Sequence, residues 1–500
     1  MTRAHSGDEA PPVTLALSTR LLDKLASQVR ALPGPLWRGE IAAARGSTLT
    51  ARGLERELTL GAKCHIVTQF GERVLAEVIG VGGEETILMP FGDASGVAAG
   101  SVIEYRQAPL TVRPSPEWLG RVINAMGEPI DGKGLLEEGA YAAPLNGSPP
   151  NAFQRRRLGA VIPTGVRAID TFTPFCRGQR VGLFAGSGVG KSTLLSMIAQ
   201  SSSADVNVIG LIGERGREVQ EFIQRDLGEA GLARSVVVVS TSDESPLARR
   251  QAAHLTLAVA EDQRKRGAQV FCLLDSVTRF AHALREIALA GGEPPSARGY
   301  PPSVFSALAQ LLERAGPGIY SQGDVTAAFT VLVDGDDHDE PIADAVRGIL
   351  DGHIVLARKI AARGRYPAID VLSSVSRSAP DCYAPGHAKI AGRARELLAL
   401  YEDKEEIIRV GLYERGSDPD MDLAIDKYPQ IEGFLAQARG EGAELKDAFE
   451  TLRSIVECEA VSSEAPPRRP APPAAAPVAA DELEEDGPII ELSADAVSVE

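Results

Sequence analysis

The spacing of hydrophobic positions divides the chain into segments of different predicted structure. Between residues 13 and 32, leucines and a valine recur every three or four positions, which is typical of an amphipathic helix. Pro33, Gly34 and Pro35 end this helix, so we assign residues 1–35 to it. A short helix followed by such a break either docks on a partner or packs on its own domain, and the pattern favours neither.

Residues 36–108 have a different pattern. Short runs rich in Val, Ile, Leu and Thr are separated by glycine-bearing turns, and the runs are Ile66–Gln69, Val74–Ile79, Thr86–Met89 and Ser101–Tyr105. Several short strands at this spacing predict a small all-β barrel. The segment contains no cluster of catalytic residue types, so we expect a structural or subunit-contact domain.

Residues 109–384 alternate between strand and helix patterns, which predicts a parallel sheet covered by helices on both faces. The predicted strands are Val206–Ile212, Val236–Ser240, Val270–Leu274, Val325–Val333 and His353–Leu356, with helices such as Leu247–Arg266 and Ser303–Ala315 between them. The segment therefore has an α/β architecture.

The remainder of the chain is predicted to be helical and then disordered. Residues 385–461 show helical periodicity in four stretches, Ala391–Tyr401, Glu405–Tyr413, Gln430–Ala438 and Glu444–Val456. Residues 462–500 are rich in Pro and Ala and then acidic, a composition that predicts a disordered tail. The sequence thus indicates a multidomain protein with a β-barrel, an α/β domain, a helical C-terminal domain and a tail.

A glycine-rich loop follows the predicted strand Val181–Phe184 and precedes a helix. Its residues are Ala185, Gly186, Ser187, Gly188, Val189, Gly190, Lys191, Ser192 and Thr193. Glycines let successive backbone N–H groups point inward at phosphate oxygens, and the helix N-terminus adds partial positive charge. Lys191 would reach the β- and γ-phosphates, and the Ser192 hydroxyl could ligate Mg²⁺. Ala185 stands where the strict pattern has Gly. We predict that this loop binds a nucleoside triphosphate.

Two carboxylates follow predicted strands. Asp275 ends the apolar run Val270–Leu274, as expected of an acid delivered to the carboxyl edge of the sheet to hold Mg²⁺ directly or through water. Glu214 follows the strand Val206–Ile212 and is a candidate for orienting the water that attacks the γ-phosphate. The alternative for Glu214 is a solvated turn in which it pairs with an arginine.

Charge argues against a nucleic-acid partner. The formal net charge is −16, and nine acidic and two basic residues after position 461 contribute −7 of it. The folded part is mildly acidic and lacks the basic stripe that a nucleic-acid groove needs. The acidic run 334–340 lacks the spacing of a calcium-binding loop, so we interpret it as a loop after a strand.

Cysteine usage and hydropathy indicate a cytosolic chain. The five cysteines, Cys64, Cys176, Cys272, Cys382 and Cys458, are widely separated and lack CxxC spacing, so we expect reduced thiols and neither a disulfide framework nor a zinc site. No apolar run has membrane-spanning length, and Met1–Pro12 lacks the apolar region of a signal peptide.

Five motifs in one order resemble the rotary ATPase superfamily, which includes the F- and V-type subunits and the type III secretion ATPases. They are Phe184–Thr193, Gly213–Val219, Leu274–Ala281, Arg298–Pro302 and Tyr366–Arg377. The resemblance spans about residues 36 to 460 and implies a β-barrel, a RecA-like nucleotide domain and a helical C-terminal domain. It therefore implies an ATPase that uses ATP and Mg²⁺.

The resemblance also implies roles for single residues. Glu214 matches the glutamate that activates the attacking water, Lys191 and Ser192 match the phosphate and Mg²⁺ positions, and Asp275 matches the second carboxylate. Arg215 and Arg279 match arginines that line the same site, and Tyr366 matches the aromatic residue that stacks on adenine. Arg377 matches the arginine finger that one subunit inserts into its neighbour's site. Supplying the guanidinium in trans would couple hydrolysis to ring geometry.

The motifs resemble the flagellar export branch most. Phe184–Ser192, Asp344–Leu356 and Gly416–Pro419 carry this resemblance, and the injectisome ATPase of virulence secretion is the alternative. It implies a homohexamer at the cytoplasmic face of the inner membrane, beside a membrane export gate. The implied partners are a stalk-like regulator at the N-terminal helix, a central coiled-coil rod, and the export substrates with their chaperones.

Two other classes of function are considered and disfavoured. A non-catalytic rotary subunit would lack the carboxylate at Glu214. An RNA-dependent helicase would need a patch of interleaved basic and aromatic residues in the barrel, which the sequence does not contain.

Overall fold

The computed structural model describes residues 34–82, 85–333 and 340–457. Most of the predicted N-terminal helix, the tail after residue 461 and the acidic run up to residue 339 lie outside the described residues. Within these ranges, no helix combines the length and apolar character that crossing a bilayer requires.

The first part of the described chain is a closed β-barrel, as predicted. Its strands are β1 (Trp37–Arg45), β2 (Thr48–Arg52), β3 (Lys63–Val67), β4 (Arg73–Gly82), β5 (Glu85–Pro90) and β6 (Val102–Tyr105). The order around the barrel is β1-β2-β5-β4-β3-β6, and every neighbouring pair is antiparallel. Alternate residues point inward and form one apolar core, which includes Ile41, Leu49, Ile66, Leu88 and Ile103.

A large sheet follows the barrel. Its strands in chain order are β8 (Arg121–Ile123), β10 (Arg180–Ala185), β11 (Val206–Glu214), β12 (Ser235–Thr241), β13 (Val270–Asp275), β14 (Gly316–Pro317), β15 (Asp324–Leu332), β16 (Gly352–Leu356) and β17 (Ile369–Ser376). Two short strands of the same segment, β7 (Thr111–Val112) and β9 (Ala143–Pro144), pair with each other outside this sheet. The order is β17-β16-β10-β15-β13-β11-β12-β8, with β14 beside β15. All pairs are parallel except β16–β17 and β14–β15.

Helices cover both faces of this sheet, as predicted. They are α1 (Arg167–Phe172), α2 (Lys191–Ser201), α3 (Gly216–Glu221), α4 (Gly228–Ala233), α5 (Pro246–Lys265), α6 (Val277–Ala290), α7 (Pro302–Leu312), α8 (Pro341–Ile349), α9 (Arg358–Ala362) and α10 (Ala379–Cys382). One apolar cluster joins a sheet face to α2, and another joins the opposite face to α5, α6 and α7. The central strands are buried on both sides, which explains their continuous apolar sequence.

The described C-terminal helices are α11 (His387–Arg409), α12 (Pro419–Leu435) and α13 (Leu445–Glu457). The stretches predicted as Ala391–Tyr401 and Glu405–Tyr413 are helical up to Arg409, and they belong to one helix, because α11 runs through the charged segment between them. That segment, 402–404, consists of Glu, Asp and Lys, most of which favour helix although they interrupt the apolar pattern.

Cys176 and Cys382 are joined by a disulfide, with their Cα atoms 6.3 Å apart and 206 positions apart in sequence. The expectation of reduced thiols throughout is wrong for this pair. The antiparallel return of β17 brings α10 back beside the segment that precedes β10, a long-range contact that cysteine spacing does not reveal. Cys64 and Cys272 are free and buried.

The barrel rests on α5 and α6. Glu77 of β4 accepts two hydrogen bonds from Arg250, at 2.6 and 2.5 Å, and Lys63 donates to Gln251. Beside these contacts lies a cavity of about 730 Å³ whose lining includes His254. A buried charged pair that loses one partner leaves an uncompensated charge, so these contacts hold the barrel in one orientation on the nucleotide domain.

His254 gives the protein a predicted sensitivity to acid. Burial, followed by the charges of Arg314 and Arg250, lowers the pKa of His254 to about 3. Arg314 Nη1 lies 3.2 Å from His254 Nδ1, so Nδ1 must accept and the ring must be neutral. In the unfolded chain the pKa is about 6.5, so unfolding takes up a proton below that pH. Stability is lost as pH falls from about 6.5 towards 3, by about 2 kcal/mol at pH 5.

We expect His254→Gln to reduce this loss. The measurement is the urea midpoint of unfolding at pH 7.5 and pH 5, and the variant should show the smaller difference between the two values. His65→Gln, which replaces an exposed histidine of β3, is the control and should match the wild-type difference. An unchanged pH difference in His254→Gln would contradict the assignment.

Candidate active site

The glycine-rich loop joins the carboxyl end of β10 to the first turn of α2. Gly188 and Gly190 have φ angles of 79° and 92°, a region that L-residues with a Cβ rarely occupy. Gly190 is the residue before Lys191, where α2 begins. Ala185 is 1% exposed at the end of β10, so its methyl group packs into the core rather than into the loop. The departure from glycine at this position is therefore compatible with the loop's geometry.

Lys191 lies between the two candidate carboxylates. Its Nζ donates to Glu214 Oε1 at 3.0 Å and to Asp275 Oδ1 at 2.5 Å, and the three side chains are 12%, 14% and 5% exposed. Burial alone lowers the pKa of Lys191, but the charges of Asp275 and Glu214 outweigh it, and the net direction is upward. Lys191 is therefore a charged donor at neutral pH.

Strand order explains why these groups meet. β11 and β13 are adjacent and parallel, with Leu211 opposite Asp275, so their carboxyl ends lie at one edge of the sheet. β10 ends at the same edge and delivers the loop. The prediction that Asp275 and Glu214 lie beside the loop is thus matched by the geometry. Burial raises the pKa of Asp275, and the Lys191 ammonium opposes that rise.

The two arginines predicted to line the site differ in position. Arg279 lies in the first turn of α6, with its side chain against Gly213, and its buried Nε has no hydrogen-bond partner among the described residues. Arg215 points away, is 81% exposed and pairs with Glu218 at 3.4 Å. The alternative in which Glu214 pairs with an arginine on a solvated turn does not apply to Glu214, which faces Lys191. Such a surface pair is formed by Arg215 and Glu218 instead.

Tyr366 lies over the loop. A methyl group built on Gly190 would be 3.4 Å from Tyr366 Cδ1, and the tyrosine is 48% exposed. Because β17 runs antiparallel, its first residues lie at the same sheet edge as the end of β10. The ring is thus close to the glycine loop and accessible to a flat ligand.

Arg377 lies at the opposite edge of the sheet. It follows Ser376, which pairs with Gly352 at the start of β16, and its N–H donates to Asp351 O at 3.0 Å. The length of β10, on the order of 20 Å for its six residues, separates this edge from Lys191. Arg377 is exposed, and its guanidinium makes one hydrogen bond within the described residues, at 3.4 Å to Arg347 O. Arg377 is thus too far away to act on the glycine loop of its own chain.

Two threonines at this edge were not predicted from the sequence to belong to the site. Thr330 donates to Asp275 Oδ1 at 2.7 Å, and Thr278 accepts from Leu332 N at 2.9 Å. Both contacts join β15 to neighbouring segments. A polar residue inside the apolar run 325–333 is the signal that could have identified Thr330.

The donor set fits a nucleoside triphosphate with a divalent cation. Inward N–H groups of the loop, the start of α2, Lys191 and the unpartnered Nε of Arg279 are all suited to phosphate oxygens. Glu214, Asp275 and the exposed Ser192 hydroxyl supply the hard oxygen ligands that Mg²⁺ prefers. The residues can therefore bind a triphosphate and hold its metal beside a carboxylate.

Three segments of the chain match models of known protein families. Residues 45–105 match the β-barrel domain and residues 165–376 the nucleotide-binding domain of the ATP synthase alpha/beta family. Residues 383–454 match the C-terminal domain of the T3SS EscN ATPase.

Relatives match over most of their length. The chain is 53% identical to the flagellum-specific ATP synthase of Caulobacter vibrioides over 427 residues, which are 84% of this chain and 96% of that protein. It is 45% identical to the type 3 secretion system ATPase of Xanthomonas euvesicatoria, over 84% of this chain and 94% of the relative.

Solved structures agree with the sequence relatives. The assembled EscN ATPase of the enteropathogenic Escherichia coli type III secretion system has a TM-score of 0.79 at 40% identity, covering 84% of this chain and all of that one. EscN in complex with its central stalk EscO has a TM-score of 0.77 at 39% identity, with the same coverage. Taken with the geometry of the site, these matches show that the chain belongs to the ATP synthase alpha/beta family, in its branch of flagellar and type III secretion ATPases, and is an ATP-hydrolysing enzyme.

Proposed function

We propose that this protein hydrolyses ATP for a flagellar type III protein export apparatus. The observation that carries the proposal is the placement of Lys191 between Glu214 and Asp275 beneath the glycine loop. The names of the relatives, led by flagellum-specific ATP synthases, support the flagellar system. Hydrolysis would promote the release, unfolding and export of substrates.

Each site residue then has a proposed role. Lys191 and the loop N–H groups bind the phosphates, and Arg279 adds a donor from α6. Glu214 accepts a hydrogen bond from the attacking water and orients it in line with the γ-phosphate. Tyr366 stacks on the adenine.

Mg²⁺ is the metal proposed for this site. Ser192 and Asp275 would hold it, directly or through water, and Mg²⁺ would neutralise charge that develops on the phosphate oxygens. Arg215 lies outside this group in a single chain, and we keep it as a proposed contributor near the subunit boundary because of its exposure next to Glu214.

Arg377 supports a ring in which each site is shared by two subunits. It is at the sheet edge opposite to its own loop and is exposed, so a nucleotide contacted by its guanidinium would be one bound to another copy. A homohexamer would present the Arg377 edge of one subunit to the loop edge of the next. The assembled state of EscN supports an oligomer of this kind of chain.

We propose further partners by analogy with the family. A central coiled-coil rod would contact the C-terminal helices, and the complex of EscN with its central stalk EscO supports a stalk-like partner. A stalk-like regulator would bind the N-terminal helix, and an export gate in the membrane would place the ring at the cytoplasmic face of the inner membrane. Exported proteins and their chaperones are the expected cargo.

An injectisome ATPase is the second candidate. The 45% identity to the Xanthomonas secretion ATPase and the match to the EscN C-terminal domain favour it. Relatives from both systems match this chain over most of their length, so the identity of the exported proteins is what would separate the two candidates.

Deleting the gene in its host tests the proposal. We expect flagellar subunits to disappear from the culture medium and motility to be lost. The wild-type gene should restore both, whereas Lys191→Ala should not. Lys446→Ala, at an exposed position of α13, is the matched control and should restore both. Normal motility in the deletion strain, with loss of secreted effectors, would favour the injectisome instead.

A further inference from the structure

Thr330 is a buried polar residue in the middle of the sheet. It lies on β15, between β10, which carries the glycine loop, and β13, which carries Asp275. The residue is 0% exposed, and its partner in β10 is Leu183. Its hydroxyl is therefore excluded from water, and its hydrogen-bond partners must come from neighbouring protein groups.

The hydroxyl contacts the Asp275 carboxylate. Thr330 Oγ1 is 2.7 Å from Asp275 Oδ1 and 3.2 Å from Leu274 O. A hydroxyl has one proton to donate, and the nearer, charged oxygen is the stronger acceptor. Lys191 donates to the same Oδ1 at 2.5 Å. Because both donors hold Oδ1 in place, the carboxylate cannot rotate about its Cβ–Cγ bond without losing them. Oδ2 is then available to another partner.

The end of β15 also holds the start of α6. Thr278 Oγ1 accepts from Leu332 N at 2.9 Å, and Thr278 precedes Arg279 in the first turn of that helix. Thr330 and Leu332 thus connect one strand to the candidate metal ligand and to the segment that carries Arg279.

We propose that Thr330 is a positioning residue for ATP hydrolysis, whose hydroxyl orients the Asp275 carboxylate so that Oδ2 can hold the magnesium ion of the substrate. This inference rests on the proposed function of Asp275. If the hydrogen bond of Thr330 served only to compensate for the burial of its hydroxyl, its loss would affect folding alone. Loss of a positioning residue instead affects turnover and the response of the site to Mg²⁺.

Kinetics of purified full-length Thr330→Val, which preserves shape and lacks the donor, test the proposal. We expect kcat to fall roughly tenfold to a hundredfold, the range for losing a hydrogen bond to a charged group. KM for ATP should change less than about threefold, because the phosphates keep Lys191 and the loop. Thr330→Ser, which retains the hydroxyl, should recover kcat to within about threefold of wild type.

Thr326→Val is the matched control. Thr326 lies on the same strand, is 1% exposed and accepts from Gly178 N at 2.9 Å, at the opposite edge of the sheet. Its kcat should stay close to wild type. Equal losses of kcat in Thr326→Val and Thr330→Val would overturn the proposal, as would wild-type kcat in Thr330→Val. If Thr330→Val does not fold, Thr330→Ala and Thr330→Ser, which differ by one oxygen, provide the same comparison.

Nucleotide binding gives a readout independent of turnover. A fluorescent ATP analogue should bind wild type and Thr330→Val equally without Mg²⁺. Adding Mg²⁺ below saturation should strengthen binding less in the variant, whereas at saturating Mg²⁺ the two affinities should differ by less than about threefold, as expected for KM. An equal gain on adding Mg²⁺ would overturn the proposal. Failure of the wild type itself to hydrolyse ATP would instead contradict the proposed function.

Discussion

Glu214→Gln is expected to lower ATP turnover by at least a hundredfold, and up to about ten-thousandfold, the range for loss of a general base. Gln has the shape of Glu, and its amide oxygen can still accept the hydrogen bond that Lys191 now makes at 3.0 Å. The amide cannot accept a proton from the attacking water. The loss should therefore appear in kcat, while affinity for ATP stays within a few-fold of wild type.

Phosphate release measures turnover, and calorimetric titration with ATP measures binding. Glu218→Gln is the matched control, because Glu218 belongs to the same segment, is 49% exposed and pairs with Arg215. Its kcat should remain near wild type. Glu214→Gln with wild-type turnover would mean that this carboxylate only pairs with Lys191.

Arg377→Ala is expected to lower kcat by about a thousandfold or more, the effect of removing an arginine finger. The guanidinium would stabilise charge that spreads over the γ-phosphoryl oxygens in the transition state, so ground-state binding of ATP should change little. Because Arg377 lies at the sheet edge away from its own loop, the loss belongs to the neighbour's site.

Arg363→Ala is the control for this change. Arg363 is also a surface arginine, 53% exposed and paired with Glu405 at 2.8 Å within its own subunit. An exposed ion pair contributes little, so turnover should stay within about twofold of wild type. Wild-type activity in Arg377→Ala would remove the main argument for a shared site.

Local features of the site could be predicted from sequence. The nine residues of the glycine loop are consecutive in the sequence, so phosphate binding by this loop could be predicted from them. Asp275 and Glu214 end apolar runs, and parallel strands place their carboxyl ends at one edge, which brings both to Lys191. The barrel and the alternating α/β segment were also predictable, because their hydrophobic periods differ.

Long-range features could not be predicted. Trp37–Arg45 alternates weakly and was not predicted as a strand, although it closes the barrel through pairing with a strand more than fifty residues away. The antiparallel direction of β17 places Arg377 and Cys382 at the edge opposite to the loop, and no local pattern encodes that direction. The role inferred for Thr330 likewise depends on which strands are neighbours in the sheet.

In the proposed ring, each active site combines the loop of one subunit with Arg377 of the next. Mixing Glu214→Gln chains with Arg377→Ala chains before assembly, and measuring phosphate release at varied ratios, tests it directly. At equal amounts, about a quarter of the subunit contacts in a random ring would pair an intact Glu214 site with an intact Arg377. We predict that activity, at least about a hundredfold below wild type in either variant alone, rises on mixing and peaks near equal proportions. A mixture as inactive as its components at every ratio would contradict the shared site.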